Sequence, residues 1–307
     1  MTGASLARVG LLGCMWGSSF LFIKLALDGL SPLQIVLGRL LFGSLVLLVI
    51  LTARGQRLPR RPVVWAHLAL MGVVANIVPF ALFGWGEQRI TSGLAGVLNG
   101  TTALFTMAFA LALLPEERLT AARATGLLLG FGGVVVVVGP WDSNPLTSSL
   151  TGQLACLGAA ACYALAFAYT RRFLAGRGYP PLVLGASQLA AATALMLAAA
   201  PVVAVDPPGL TPVVVGSVVA LGVVGTGLAY LLYYRLIADA GATSTSMVTY
   251  VIPVVAVVLG VVTLGEPVTW NLFAGGAVVV AGIALAEGRL DRWSPLPPAR
   301  PRPAPVD

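Results

Sequence analysis

Ten apolar runs account for most of this 307-residue chain and restrict its fold more than any other feature. Most are about 19 to 25 residues long, as a helix needs in order to cross a bilayer core of about 30 Å. Only 9% of the residues are charged, against roughly 25% in soluble domains, and backbone groups in lipid must be hydrogen-bonded internally. The sequence therefore predicts an all-α integral membrane protein with ten transmembrane helices, approximately Leu6–Leu27, Leu33–Ala53, Val63–Trp85, Ser92–Leu114, Ala121–Gly139, Gly152–Arg172, Pro181–Pro201, Pro212–Leu236, Ala242–Leu264 and Val268–Glu287.

Positive charges are distributed unevenly between the predicted loops. If ten helices alternate in direction, fifteen Arg residues fall on one side of the membrane and only Lys24 and Arg89 on the other, with Arg39 inside the second span. Because basic loops stay in the cytoplasm, both termini are predicted to be cytoplasmic. The net charge of +7 then follows from membrane topology, and it indicates no nucleic-acid partner.

The second half of the chain repeats the first. One constant offset relates Glu117 to Glu266, Thr120 to Thr269, Gly126 to Gly275, Gly133 to Gly282 and Arg39 to Gln188. Each copy contains five helices, an odd number, so the second copy is predicted to enter the bilayer from the opposite side. The predicted units are a first five-helix repeat at 1–145, an inverted second repeat at 146–290 and a Pro- and Arg-rich cytoplasmic tail at 291–307, which its composition predicts to be disordered.

Inverted repeats also predict a mechanism. Two copies of one unit that face opposite ways can form outward-open and inward-open states of similar free energy, with a substrate site near the bilayer midplane. We therefore expect an alternating-access transporter. A membrane enzyme would need clustered acids, histidines or a metal set near one interface, and the sequence contains no such cluster, so neither a metal nor a cofactor is predicted.

Several segments carry a resemblance to a known family. They are WGSSF with the following Lys24, SP…GR in the second helix, LLPEERLT with its downstream glycines, and the run PVVAVVLGVVTLGEPVT that begins at Pro253. In order and spacing they resemble the drug/metabolite transporter superfamily, specifically its EamA-like ten-helix branch. That resemblance implies a bacterial inner-membrane exporter or facilitator of amino acids and small metabolites. It also implies a cavity lined by helices 1, 3, 4, 6, 8 and 9. One departure is that helix 4 has no proline to match Pro253.

Helical spacing predicts which residues face this cavity, because polar groups inside a span are unfavourable unless they face protein or water. An aromatic wall with scattered hydroxyls and amides suits a small amphipathic molecule. The same residue types also form interfacial belts and helix-to-helix contacts, so both interpretations stay open for each residue. The predicted substrate-binding residues are Trp16, Ser19, Phe20, Asn76, Phe80, Phe83, Asn99, Thr102, Tyr163, Phe167, Tyr230, Tyr233, Ser246 and Tyr250.

Five further residues are predicted to act in gating or coupling: Lys24, Arg39, Pro79, Glu87 and Pro253. The buried guanidinium of Arg39 needs a partner, which could be a structural carboxylate, helix-end carbonyl groups or the carboxylate of a substrate. The two prolines each remove a backbone donor in mid-span and could be hinges or static kinks. Glu87 lies on the cavity stripe of helix 3, near its outer end.

These features together predict an exporter or facilitator of small neutral or zwitterionic organic metabolites such as amino acids. No carboxylate lies near the centre of a span, and the small four-helix relatives have a first-helix glutamate where this chain has Ser18 and Ser19. Proton-coupled efflux of cationic compounds is therefore the alternative, and an integral membrane enzyme is less favoured. The expected partners are a small-molecule substrate and membrane lipid, with the protein a monomer or homodimer.

Overall fold

Helices joined by short turns make up the computed structural model, which describes residues 3–113, 119–139, 141, 149–174, 177–203, 205–241 and 245–287. No strand occurs in these ranges, and the predicted tail at 291–307 lies outside them. In chain order the helices are α1 Gly3–Ala26, α2 Pro32–Ala53, α3 Pro62–Glu87, α4 Ser92–Ala112, α5 Ala121–Val138, α6 Leu150–Phe173, α7 Pro181–Val203, α8 Pro212–Ala240, α9 Val248–Leu264 and α10 Trp270–Ala286.

The helices α1 to α8 are each long and apolar enough to cross a membrane, which confirms the all-helical membrane character predicted from the sequence. Within the described ranges, α9 and α10 are shorter, at 17 residues each. The sequence predicted α9 from Ala242, but the helix begins at Val248, after a turn at Ser246 and Met247. Residues 242–244 lie outside the described part of the chain.

Polar and proline residues set the helix starts, as elementary capping chemistry dictates. Ser31 accepts a hydrogen bond from the Gln34 backbone while the Gln34 side chain accepts one from the Ser31 backbone, so α2 begins with a full capping box. Thr91 caps α4 and Thr211 caps α8. Each threonine hydroxyl accepts a hydrogen bond from the backbone N–H three residues later. Pro32 occupies the first position of α2, where a missing N–H breaks no helical hydrogen bond.

Buried apolar residues of α1, α3, α4, α6, α8 and α9 form most of one continuous core, to which Ile35 of α2, Val137 of α5 and Leu272 of α10 also belong. The helices α5 and α10 pack against each other beside it. A Cβ added at Gly126 would lie 2.6 Å from the carbonyl oxygen of Gly282, and one added at Gly133 would lie 2.9 Å from that of Gly275. Only glycine permits this approach of two helix backbones.

Large apolar side chains cover the outside of the bundle. Leu128 of α5, Val202 of α7 and Val262 of α9 are among the most exposed large apolar residues in the described ranges. A water-soluble surface is not built this way, because contiguous exposed apolar area of this extent favours removal from water. The outer faces of the helices are therefore suited to lipid.

Both α3 and α8 contain a π-helical segment, Val73–Ile77 and Ala220–Leu228. Such segments change the phase of a helix and occur frequently at functional sites. Pro79, which cannot donate a backbone hydrogen bond, follows the first segment by two residues, whereas Pro253 lies within a continuous α9. The two π segments carry Asn76 and Thr226, both buried, to the middle of the bundle.

Candidate functional site

Aromatic rings from four helices meet in the middle of the bundle. Phe20 of α1 packs edge-to-face on Phe83 of α3 with 5.4 Å between ring centroids, and Phe83 stacks on Tyr163 of α6 at 6.0 Å. A second pair joins Trp16 of α1 to Tyr233 of α8 at 5.4 Å. These five residues were predicted from helical spacing on helices that the family resemblance places at the cavity, and the structure brings them together in two ring clusters that pack on the same core.

A chain of amide and hydroxyl groups crosses from α7 to α8 through α3. The Gln188 side chain donates to the Asn76 side-chain oxygen at 2.7 Å, and the Asn76 nitrogen donates to the Tyr230 hydroxyl at 3.3 Å. Asn76 is fully buried, so these bonds offset the loss of its hydration. Ser19, predicted for the same wall, donates to the Met15 carbonyl oxygen of its own helix at 3.2 Å.

Arg39 lies beside this chain, on α2. Its Nε donates to the Thr226 hydroxyl at 2.9 Å, and its guanidinium carbon lies 3.8 Å from the centre of the Phe80 ring, a cation–π geometry. The side chain is only 7% exposed. Phe80, Tyr163 and Tyr230 belong to one packed cluster, so the cation has aromatic rings around it.

Three predicted residues of α4 and α6 have no described ring pair or side-chain hydrogen bond with the ring clusters. Asn99 is half-buried, and Thr102 is buried with a hydroxyl group that has no hydrogen-bond partner in the structure. Phe167, one turn beyond Tyr163 on α6, is 49% exposed. Phe167 is therefore more exposed than Phe83, which is buried in the ring cluster.

Two residues were predicted at the start of α9. Ser246 is in the turn before the helix. Tyr250 packs against the cluster of Leu104 and Val279, and its hydroxyl donates to a Glu287 carboxylate oxygen at 3.2 Å. This places Tyr250 toward α10 and the end of the described chain.

Lys24 and Glu87 meet at one end of the bundle. The Lys24 ammonium donates to the backbone carbonyl oxygen of Glu87, and to that of Ile90 at 2.9 Å. The Glu87 side chain is fully buried, and neither of its carboxyl oxygens has a hydrogen-bond partner in the structure. Lys24 is therefore a cap for the carboxyl end of α3 rather than an ion-pair partner of Glu87.

Glu266 holds the adjacent loop from the other half of the chain. Its carboxylate accepts from the Ser92 backbone at 2.7 Å, the Ser92 hydroxyl at 3.0 Å and the Gly93 backbone at 3.0 Å. The end of the bundle formed by Lys24, Glu87, Ser92 and Glu266 is called the clamped end below. The sequence analysis identified Glu266 and Gln188 only as repeat positions, through the offset that relates them to Glu117 and Arg39.

No group of three His, Cys, Asp or Glu residues in the described ranges is arranged to hold a metal ion. Cys14, Cys156 and Cys162 are all free, and Cys156 is fully buried. The chemistry that the described centre offers is thus noncovalent: ring faces, hydrogen-bond donors and one guanidinium.

Comparison with known proteins identifies the family and a similar fold. The family model described as the EamA-like transporter family matches the chain twice, at residues 4–139 and 150–287. A crystal structure of a protein 22% identical in sequence has a TM-score of 0.66 and covers 95% of this chain and 99% of that chain. At this identity the likeness concerns the fold alone.

Similar sequences come from bacteria and archaea. A "Probable terminal-alkyne amino-acid exporter" of Streptantibioticus cattleyicolor is 27% identical, with 89% of this chain and 90% of the exporter covered. An "Uncharacterized inner membrane transporter YedA" of Escherichia coli K12 is 28% identical over 95% of this chain and 92% of its own. An "Uncharacterized transporter" of Archaeoglobus fulgidus is 27% identical over 87% and 93%.

The resemblance predicted from the WGSSF, LLPEERLT and LGEPVT segments is confirmed by the two family matches, which together span most of the chain. The predictions of a multi-pass membrane protein and of a transporter rather than an enzyme are confirmed with it. This chain is a member of the EamA-like transporter family.

Proposed function

We propose that the protein is an alternating-access exporter or facilitator of small neutral or zwitterionic organic metabolites, such as amino acids. The substrate binds between the two ring clusters, where Trp16, Phe83, Tyr163 and Tyr233 supply ring faces and the Asn76–Tyr230 chain supplies directed hydrogen bonds. The convergence of these groups from α1, α3, α6 and α8 is the observation that carries the proposal. One relative's name, probable terminal-alkyne amino-acid exporter, supports the same substrate class.

The proposed architecture is ten transmembrane helices in two inverted repeats, residues 1–145 and 146–290. Three observations support it. The family model matches each half once, and the π segment that contains Asn76 has a counterpart that contains Gly225, at the offset relating Glu117 to Glu266. The backbone approaches between α5 and α10, Gly126 with Gly282 and Gly133 with Gly275, exchange with each other under the same offset.

The protein is proposed to lie in a bacterial cytoplasmic membrane, as a monomer or homodimer, with both termini in the cytoplasm. The clamped end then faces outward, because Lys24 and Arg89 lie there while most Arg residues lie opposite. Single cysteines at Arg57 and Gln88, in a chain whose three native cysteines are Ser, test this orientation. An impermeant thiol reagent applied to intact cells should modify the cysteine at 88 but not at 57, and the reverse result would contradict the proposal.

Flux measurements in proteoliposomes test the substrate site. We expect saturable counterflow of radiolabelled L-amino acids, and we expect Trp16→Ala and Tyr163→Ala to reduce it at least about tenfold, because each removes a ring from the proposed wall. Trp270→Ala is the matched control, since Trp270 is 66% exposed at the start of α10. Unchanged flux in the first two variants would show that substrate binds elsewhere.

Proton-coupled efflux is the second candidate, and the buried Glu87 carboxyl favours it. A carboxyl group with no hydrogen-bond partner is unfavourable as an anion away from water, so a conformational change that admits water there would be linked to proton uptake or release. Flux driven by a pH gradient distinguishes the candidates. Gradient-driven uptake that Glu87→Gln abolishes would favour coupling, whereas flux independent of the gradient in both proteins would favour facilitation.

A further inference from the structure

The positive charge of Arg39 is buried, and among the described residues its guanidinium makes no ion pair and no hydrogen bond to a carboxylate. The ion pair between Arg8 and Asp239 lies at the periphery and does not involve Arg39. Glu87 is the acid predicted on the neighbouring stripe, but both its carboxyl oxygens lack hydrogen-bond partners, so it does not bind the guanidinium. A buried charge without an anion is strongly unfavourable. Glu87 acts on Arg39 electrostatically without contacting it, so an anion that binds the guanidinium directly would stabilise the buried charge.

The orientation of Arg39 is fixed by the contacts that it does make. Thr226 accepts from Nε and in turn donates its own hydroxyl hydrogen to the Leu221 carbonyl oxygen at 2.9 Å, within the π segment of α8. The Phe80 ring covers one face of the guanidinium. The two terminal nitrogens have no protein partner among the described residues, and this pair forms the planar fork that binds a carboxylate through two parallel hydrogen bonds.

The neighbouring polar groups are oriented to donate as well. Gln188 occupies the Asn76 oxygen, and Asn76 donates to the Tyr230 oxygen, so the hydroxyl hydrogen of Tyr230 remains available. Tyr163 stacks on Phe83 near the same guanidinium, and no hydrogen bond occupies its hydroxyl among the described residues. A cluster with one positive charge and several unused donors is complementary to an oxyanion.

We infer that Arg39, Tyr163 and Tyr230 form a binding site for the carboxylate of the transported solute. The inference rests on the proposed function, and it narrows the substrate class to amino acids and other small carboxylic acids. The guanidinium binds both carboxylate oxygens, the two tyrosine hydroxyls donate to the remaining lone pairs, and the rings of Phe80 and Phe83 cover the organic part. Neutral amines and amides lack the group that this cluster recognises.

Binding of matched acids and amides to the purified full-length protein tests the site. The probes are L-phenylalanine, L-leucine and L-threonine, each beside its carboxamide, with binding followed by the shift in thermal unfolding temperature and by isothermal titration. We expect the acids to bind about ten- to hundredfold more tightly than the amides, because hydrogen bonds to a charged group contribute more than neutral ones. Binding by none of the acids, or equal binding of acids and amides, would overturn the inference.

Substitutions test whether Arg39, Tyr163 and Tyr230 cause the preference for acids over amides. Arg39→Gln should abolish the difference between acid and amide, and Arg39→Lys should retain part of it, since a lysine keeps the charge but lacks the fork. Arg60→Gln removes an exposed arginine and should change nothing. If Arg39→Gln does not fold, the double variant Tyr163→Phe, Tyr230→Phe should still reduce the ratio at least about threefold, with Tyr179→Phe as control. An unchanged ratio in the variant that folds would overturn the site.

Flux separates this inference from the proposed function. Saturable flux of acids and amides at equal rates would contradict the carboxylate site while supporting transport of small metabolites. An acid preference in binding that Arg39→Gln removes, without saturable flux of any probe, would support the site and contradict the proposed transport of amino acids.

Discussion

The carboxylate of Glu266 caps the helix that begins at Ser92, although 174 positions separate the two residues. It accepts from the Ser92 backbone and hydroxyl, and from the next backbone N–H. A carboxylate at a helix amino end is favoured by unpaired N–H groups and by the helix dipole. The contact joins the connection between α9 and α10 to the start of α4, and so joins the two halves of the chain at the clamped end.

Glu266→Ala should loosen the clamped end. It removes three hydrogen bonds to a buried helix start, and we expect a loss of about 1–3 kcal/mol in unfolding free energy. Cys156 is buried against Gly86 near this end and reports on its opening. In a Cys14→Ser, Cys162→Ser background, we expect faster reaction of Cys156 with a thiol reagent. Asp28→Asn, which alters an exposed acid, should leave both readouts unchanged, and unaltered kinetics in Glu266→Ala would contradict the clamp.

Lys24→Met should destabilise the same end from α1. The ammonium satisfies two backbone carbonyl oxygens at the end of α3, those of Glu87 and Ile90. Without it these acceptors have no donor in a part-buried site, and we expect a loss of about 1–3 kcal/mol. Thermal unfolding of the purified protein measures this loss. Lys24→Arg should recover most of the stability. If Lys24→Met and the unsubstituted protein unfold at the same temperature, water replaces the ammonium as the donor to these carbonyl groups.

Glu87→Met should raise stability, in contrast to Glu266→Met, which should lower it. The Glu87 carboxyl is buried and has no hydrogen-bond partner among the described residues, so an apolar side chain of similar shape removes a desolvation penalty of about 1–3 kcal/mol. A higher unfolding temperature together with lost gradient-driven flux would mark Glu87 as retained for function. A lower unfolding temperature would instead mean that its carboxyl is satisfied by water.

Alanine substitutions at two adjacent glycines of α5 should have different effects on the free energy of unfolding. A Cβ at Gly133 would meet backbone atoms of α10, at 2.7 Å from the Val279 nitrogen, whereas one at Gly132 meets nothing within 4 Å. Gly133→Ala should therefore destabilise by about 1–3 kcal/mol through overpacking. Gly132→Ala should be neutral or stabilise by up to about 1 kcal/mol, because alanine favours the helix. Thermal unfolding measures both, and similar shifts would contradict the described α5–α10 packing.

Periodicity in the sequence was sufficient to find many of the central residues. Trp16 and Phe20 are spaced by one helical turn, as are Asn76 and Phe80, so a face could be assigned before any partner was known. Their pairing could not be assigned, since Phe20 meets Phe83 and Trp16 meets Tyr233 only when α1 is packed between α3 and α8. Local spacing determines a face, and tertiary packing selects its neighbours.

Partners of the charged residues were harder to predict. The sequence left open whether Arg39 meets a carboxylate, helix-end carbonyl groups or a substrate, and the structure shows a threonine hydroxyl and an aromatic ring. Lys24 binds carbonyl oxygens, which every residue carries and which therefore leave no signal in a sequence. The position of Glu266 was visible only as the repeat partner of Glu117, without its contact to Ser92.

The sequence by itself determined the membrane-embedded helices and the family. Hydrophobicity over about 20 residues and the order of short motifs are local properties, which persist whatever the helices pack against. Only the tertiary structure decided that Arg39 is held by Thr226 from the other half of the chain, and that Glu266 closes the loop at Ser92. These contacts join residues more than 170 positions apart. They depend on which helix faces pack against each other, and local sequence patterns do not contain that information.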